Sequence, residues 1–169
     1  MHIEIRAIDQ TEVDNFWNLF VAILETQFPG YTKKVLSFMT EKVYTRTAFI
    51  YWLSQSMKTV FLVTDSKEPV GFAVIDEPYG GVSFCRWLGL KPEYQRKGIG
   101  SQLIKMWIDH ATALGCHKVE VAAQPVARDF YKKVGLNEEG IRKSSYFGID
   151  QYVFGKVIGQ PSDEVMTRM

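Results

Sequence analysis

Leu88-Gly89-Leu90-Lys91-Pro92-Glu93-Tyr94-Gln95-Arg96-Lys97-Gly98-Ile99-Gly100-Ser101 decides the reading of this chain. An apolar strand ends, a short basic loop follows, and glycines open a long helical pattern. The first N–H groups of a helix have no partner inside it. Aligned with the helix dipole, they favour an anion. Gly98 and Gly100 remove side chains, so a phosphate can approach the backbone, and Arg96 and Lys97 add positive charge at that point. The physics alone predicts a pyrophosphate cradle. Other phosphate loops fit worse. A P-loop places Gly-Lys-Ser/Thr after its glycine spacing, whereas here Lys97 precedes Gly98. A dinucleotide fingerprint needs a third glycine where this chain has Leu103, and a parallel βαβ unit from the first strand.

The pattern on either side predicts an α/β sandwich, with helices packed on both faces of a mixed sheet. Upstream, residues 3–8 alternate with period two and read as a strand. Thr11 is expected to cap the next helix, with Asp14 completing a capping box. Val13, Phe16, Trp17, Phe20, Ile23 and Leu24 fall on one face of that helix, and Phe28-Pro29-Gly30-Tyr31 ends it. Residues 32–54 read as a second helical stretch, interrupted at Thr45-Arg46-Thr47. Strands are expected over 60–63, 70–75 and 82–90, with turns at 65–68 and 78–81. Downstream, residues 98–114 form a helix that Gly115 stops. A strand over 118–123, a short helix over 127–134 and a final strand over 151–158 complete the order.

The length of 169 residues suits one domain, expected over 1–158. The polar stretch 159–169, which holds Pro161, reads as a loose C-terminal tail. Apolar residues make up 46% of the chain and the net charge is +1. That balance supports a buried core and lacks the basic excess of a nucleic-acid binder. Cys85 and Cys116 form no CxxC pair and read as reduced thiols. The start of the chain lacks signal-peptide features, and no segment reaches the ~18 apolar residues of a membrane span. The expectation is a cytoplasmic protein with neither nucleic-acid nor membrane partners. His2, His110 and His117 show no metal spacing, so no metal is expected.

The segment resembles the GNAT superfamily of N-acetyltransferases. Gln95 to Gly100 matches that family's signature Arg/Gln-x-x-Gly-x-Gly/Ala. Downstream, Phe130-Tyr131-Lys132-Lys133-Val134-Gly135-Leu136 resembles its second signature, Phe-Tyr-x-x-x-Gly-Phe. The resemblance covers roughly residues 60–157 and implies a GNAT-like mixed, mostly antiparallel central sheet. It implies that acetyl-CoA is the co-substrate. Its pyrophosphate would be held by Gln95, Arg96, Lys97, Gly98, Ile99, Gly100 and Ser101, mainly through backbone. The strand end Leu88, Gly89 and Leu90 would splay from its neighbour and offer backbone groups to the pantetheine arm. One N–H there would polarise the thioester carbonyl.

The resemblance also makes Tyr131 the general acid and a contact of the departing sulfur. Gln124 stands where the family often has a pantetheine-binding Asn. Glu120 resembles a base used by ribosomal-protein alanine acetyltransferases, but its spacing to Tyr131 is one residue shorter. In a strand, such a slip turns a side chain to the opposite face. Asp76 and Glu77 are further candidates for the base. Among the aromatic residues, Tyr31 and Tyr146 lie in loops and are the candidate substrate-binding residues, whereas Phe49 and Trp52 read as core. The expected reaction is acetyl transfer to a primary amine, on a small molecule or amino acid, by direct attack in a ternary complex. Alternatives are a protein N-terminal or lysine acetyltransferase, and a non-catalytic acetyl-CoA-binding regulatory module. Members of the family often form homodimers, and no feature of this sequence fixes the assembly.

Overall fold

The computed structural model describes residues 1–168. Strands β1 (Ile3–Ala7), β2 (Lys58–Asp65), β3 (Glu68–Asp76), β4 (Val82–Leu90), β5 (Lys118–Ala123), β6 (Asn137–Arg142) and β7 (Gln151–Val157) hydrogen-bond in the order β1-β2-β3-β4-β5-β7-β6. Helices are α1 (Val13–Gln27), α2 (Lys33–Phe38), α3 (Arg46–Ser54), α4 (Ile99–Ala113), α5 (Arg128–Lys133) and α6 (Asp163–Met166). The chain divides into two compact units: Met1–Val74 with Trp87–Leu103, and Ile75–Arg86 with the chain from Ile104 onward. β4 and α4 contribute residues to both.

In the first unit, α1 buries Val13, Phe16, Leu19, Phe20, Ile23 and Leu24. Phe16 meets Phe49 and Phe72 edge-on, with ring centroids 4.9 and 5.4 Å apart. Such tilted aromatic pairs add to the gain from area burial alone. The capping box differs from the expected one. Asp9, not Thr11, is the cap: its carboxylate accepts from the Thr11 N–H, and Glu12 reaches back to the Asp9 N–H. A single 3₁₀ turn, Gln10–Glu12, leads into α1 and moves the start signal upstream. The helical stretch after α1 breaks as its interruption suggested. After α2, Met39–Val43 forms one wide π turn. Thr45 then caps α3 by accepting from the Ala48 N–H at 3.1 Å. β2 and β3 join through Ser66-Lys67, both at positive φ (48° and 76°), the backbone shape of a tight hairpin turn.

In the second unit, β4 and β5 run parallel from Val82↔Lys118 to Cys85↔Val121. β5 pairs antiparallel with β7, and β7 with β6. The buried indole of Trp107 on α4 donates to the Ser83 hydroxyl of β4 at 2.9 Å. β6 has no counterpart in the sequence reading: all six of its residues are exposed, so it carries no apolar alternation to detect. Salt bridges tie it down, Lys118 to Glu139 at 2.7 Å and Arg128 to Glu138. The segment read as a loose tail contains α6, whose Val165 lies so near Gly115 that a Cβ there would come within 2.9 Å of it.

Candidate active site

The candidate phosphate loop belongs to the first unit and is built on the end of β4. Gly89 is required by closeness: a Cβ there would stand 2.6 Å from Ile23 and 3.1 Å from Phe72. Leu90 is buried, and the Lys91 N–H then bonds to the Val70 carbonyl at 2.9 Å. A single turn, Pro92–Tyr94, follows. The Tyr94 phenol donates to the Asp65 carboxylate at 2.8 Å. Asp65 also accepts from the His2 N–H. Those bonds, His2 foremost, hold its carboxyl below the usual range, while the bond to Asp65 raises the phenol of Tyr94. The Gln95 side-chain amide donates to the Leu90 carbonyl at 3.0 Å and to Gln27 at 2.9 Å. Gln95 therefore fastens the loop to the strand end and to α1.

Beyond Gln95 the chain enters the left-handed region twice, at Arg96 (φ 59°) and Gly98 (φ 82°). A Cβ at Gly98 would have nothing within 4 Å, so glycine serves backbone shape there and leaves open space above it. α4 starts at once, its first turn closed by Gln102 N–H to Gly98 carbonyl at 3.2 Å. The N–H groups of Ile99, Gly100 and Ser101 precede that bond and are free of the helix's own ladder. Ile99 buries its side chain, while Gln95, Arg96, Lys97, Gly98 and Ser101 are exposed. The result is a helix start whose first N–H donors lie outside the ladder, beside two exposed cations, which suits a pyrophosphate. Leu88 is half-buried on β4. The parallel ladder with β5 ends at Cys85, although β4 runs on to Leu90.

Tyr131, Gln124 and Glu120 belong to the second unit. Gln124 closes β5 in extended backbone (φ −66°, ψ 157°), and its carbonyl accepts from the Ala127 N–H. Pro125 opens the following turn and α5 continues from it. Tyr131, 5% exposed, packs against Phe130 and Phe154 at centroid distances of 5.0 and 5.7 Å. Burial, with a smaller contribution from Cys85, pushes its phenol well above the ordinary tyrosine value. Gln124 is 7% exposed, and its Nε2 has no hydrogen-bond partner among the described residues. A buried donor without a partner is costly and fits a ligand carbonyl such as those of pantetheine.

The sheet separates Glu120 from Tyr131. Cys85, Val121 and Phe154 stand in one cross-strand row. Tyr131 lies on that face, in contact with Phe154 and electrostatically coupled to Cys85. Glu120 stands in the next row, between Phe84 and Gly155, and therefore on the opposite face. It lies 3.1 Å from Lys118, which also holds Glu139. Asp76 accepts from the Arg86 guanidinium at 2.6 and 2.9 Å.

The two aromatic candidates differ in exposure. Tyr31, in the first unit, is half-buried with its ring near Phe28 and Trp87. Tyr146, in the second, is 69% exposed in a turn where Phe147 takes φ 60°. Sequence reading missed the anchors Gln27, Asp65 and Tyr94. They meet only through contacts 29 to 68 residues apart, which no local pattern encodes.

An uncharacterized N-acetyltransferase of Methanocaldococcus jannaschii is 24% identical over 156 residues, 82% of this chain and 62% of that protein. A glucosamine 6-phosphate N-acetyltransferase of Arabidopsis thaliana is 30% identical over 54 residues, 32% of this chain and 36% of the relative. The chain thus spans less than two thirds of the length of these relatives. The crystal structure of a PaiA N-acetyltransferase from Thermoplasma acidophilum in complex with coenzyme A superposes with a TM-score of 0.79 at 19% identity, covering 94% of this chain and all of that one. No helix among the described residues is long and apolar enough to cross a membrane. The model of the acetyltransferase (GNAT) family matches residues 17–136, and the chain belongs to that family.

Proposed function

We propose that this protein transfers an acetyl group from acetyl-CoA to a primary amine, on a small molecule or an amino acid, by direct attack in a ternary complex. The observation that carries the reading is the loop at the start of α4: N–H groups of Ile99, Gly100 and Ser101 outside the helix's own ladder, glycine at φ 82°, and the exposed Arg96 and Lys97 beside them. Similarity to a relative named for an amino-sugar acceptor supports a small amine, over a short stretch of the chain.

Acetyl-CoA supplies the acetyl group as an activated thioester. Residues 95–101 hold the pyrophosphate, by backbone N–H groups and the two cations. Backbone groups of Leu88, Gly89 and Leu90 pair with the pantetheine arm, and one N–H there polarises the thioester carbonyl. Gln124 Nε2 donates to the arm. Tyr131 keeps its proton, because burial holds the phenol well above its ordinary pKa, and offers it from Oη to the leaving sulfur, while the proton shed by the attacking nitrogen passes through water and restores the phenol. Tyr31 and Tyr146 are proposed to contact the acceptor.

The test follows CoA thiol release from acetyl-CoA against a panel of amines and short peptides, for the wild type and Tyr131→Phe. The reading expects release that depends on one acceptor and falls sharply in the variant. Failure of the wild type to bind acetyl-CoA overturns it.

A further inference from the structure

Two buried amide atoms of the second unit, one a donor and one an acceptor, lack partners, and their side chains leave opposed positions at the end of one ladder. The last pair of the β5–β7 ladder is Ala123↔Tyr152. One step further in the same antiparallel register come Gln124 and Gln151, with Gln124 still in extended backbone. Residues paired in this way have their Cβ atoms about 5 Å apart and project to the same face. Gln124 Nε2 and Gln151 Oε1 are both buried, and neither has a hydrogen-bond partner among the described residues. Gln124 is 7% exposed.

Burying one unpaired amide is costly, and burying two in adjacent positions doubles the cost. Each atom is what the other lacks, yet they do not bond to each other. A planar secondary amide lying between the two side chains points its carbonyl to one side and its N–H to the other, so its carbonyl can meet the Gln124 donor and its N–H the Gln151 acceptor. Flipping both side-chain amides together exchanges the roles and preserves the match.

We propose that Gln124 and Gln151 form a two-point clamp for one secondary amide of a ligand. The inference rests on the acetyltransferase reading, because the substrates of that reaction carry such amides: the pantetheine arm always, and the acceptor when it is a peptide.

Calorimetry on Gln124→Met, Gln151→Met and the double variant tests it, with CoA and with 3′-phospho-ADP, which keeps the pyrophosphate and lacks the pantetheine arm. The clamp predicts an unligated melting temperature equal to or above wild type, since a buried unpaired group is removed. For a pantetheine amide, CoA binds about tenfold more weakly to each single variant. 3′-Phospho-ADP is unaffected, and the double variant loses less than the product of the singles. For an acceptor amide, CoA affinity holds, while tri-alanine titrated into the CoA-loaded protein loses affinity. Should wild type give no heat with tri-alanine, the CoA titrations alone decide. Unchanged affinity in every titration overturns the clamp, as does a lowered melting temperature in the unligated variants, which marks the amides as structural. A wild type that binds 3′-phospho-ADP but ignores these substitutions refutes the clamp alone. One that binds neither CoA nor the fragment refutes the acetyltransferase reading with it.

Discussion

The phenol of Tyr94 donates a 2.8 Å hydrogen bond to Asp65, 29 residues earlier in the chain. That bond ties the loop ahead of α4 to the hairpin between β2 and β3. Tyr94→Phe is therefore expected to loosen the loop and weaken CoA binding several-fold, with kcat little changed, since Tyr94 touches no reacting atom. Kd from calorimetry beside kcat from thiol release checks the split.

Asp65 gives this anchor a pH dependence. Its carboxyl is held below the ordinary aspartate value by the His2 N–H and the Tyr94 phenol. A carboxylate with a lowered folded pKa stabilises the native state above its unfolded value of about 3.9, and that contribution disappears as pH falls through the folded value. The expected outcome is that Asp65→Asn narrows the stability gap to wild type as melts are taken from pH 6 down through pH 4 and below.

Tyr131→Phe keeps the ring contacts with Phe130 and Phe154 and removes one hydroxyl. Thiol release is expected to fall by roughly 10²-fold, as for a lost general acid, with little change in the KM for acetyl-CoA. Because the phenol lies well above its ordinary pKa, it loses its proton only when pH rises through that elevated value. The wild-type kcat profile should therefore show no decline due to Tyr131 up to about pH 10.

Gly89 and Gly98 are glycines for different reasons, and the same substitution separates them. Gly89→Ala places a Cβ 2.6 Å from Ile23 and 3.1 Å from Phe72, an overpacking expected to cost about 1–3 kcal/mol. Gly98→Ala meets nothing but must hold φ 82°, at a cost of about 1–2 kcal/mol. Urea melts give both values. CoA titration should show the larger loss for Gly98→Ala, which lies in the exposed loop.

The loop ahead of α4 was legible because its physics is local: a strand end, cations and glycines at a helix start occupy one continuous stretch. Tyr131 stood out in the sequence through a second local signature. The faces of β5 follow from alternation, so the one-residue shift at Glu120 already signalled that it points away from Tyr131. β6 was invisible because every one of its residues is exposed and its anchors, Lys118 and Arg128, lie in other elements. The start of α1 was misplaced because a 3₁₀ turn separates the real cap, Asp9, from the apolar stripe. Gln151 carries no motif, and its significance rests on a register neighbour 27 residues away that pairing alone identifies.

Ile99 joins two properties that are usually under separate control. The residue is 2% exposed, while its backbone N–H is among those that the ladder of α4 leaves without a partner. The geometry of the phosphate loop is therefore inherited from the interior beneath it. Conservative exchanges of buried apolar residues around Ile99 should drift first into nucleotide affinity, before any loss of foldedness is measurable. Selection for binding would then restrict a part of the core that stability alone would leave free to vary.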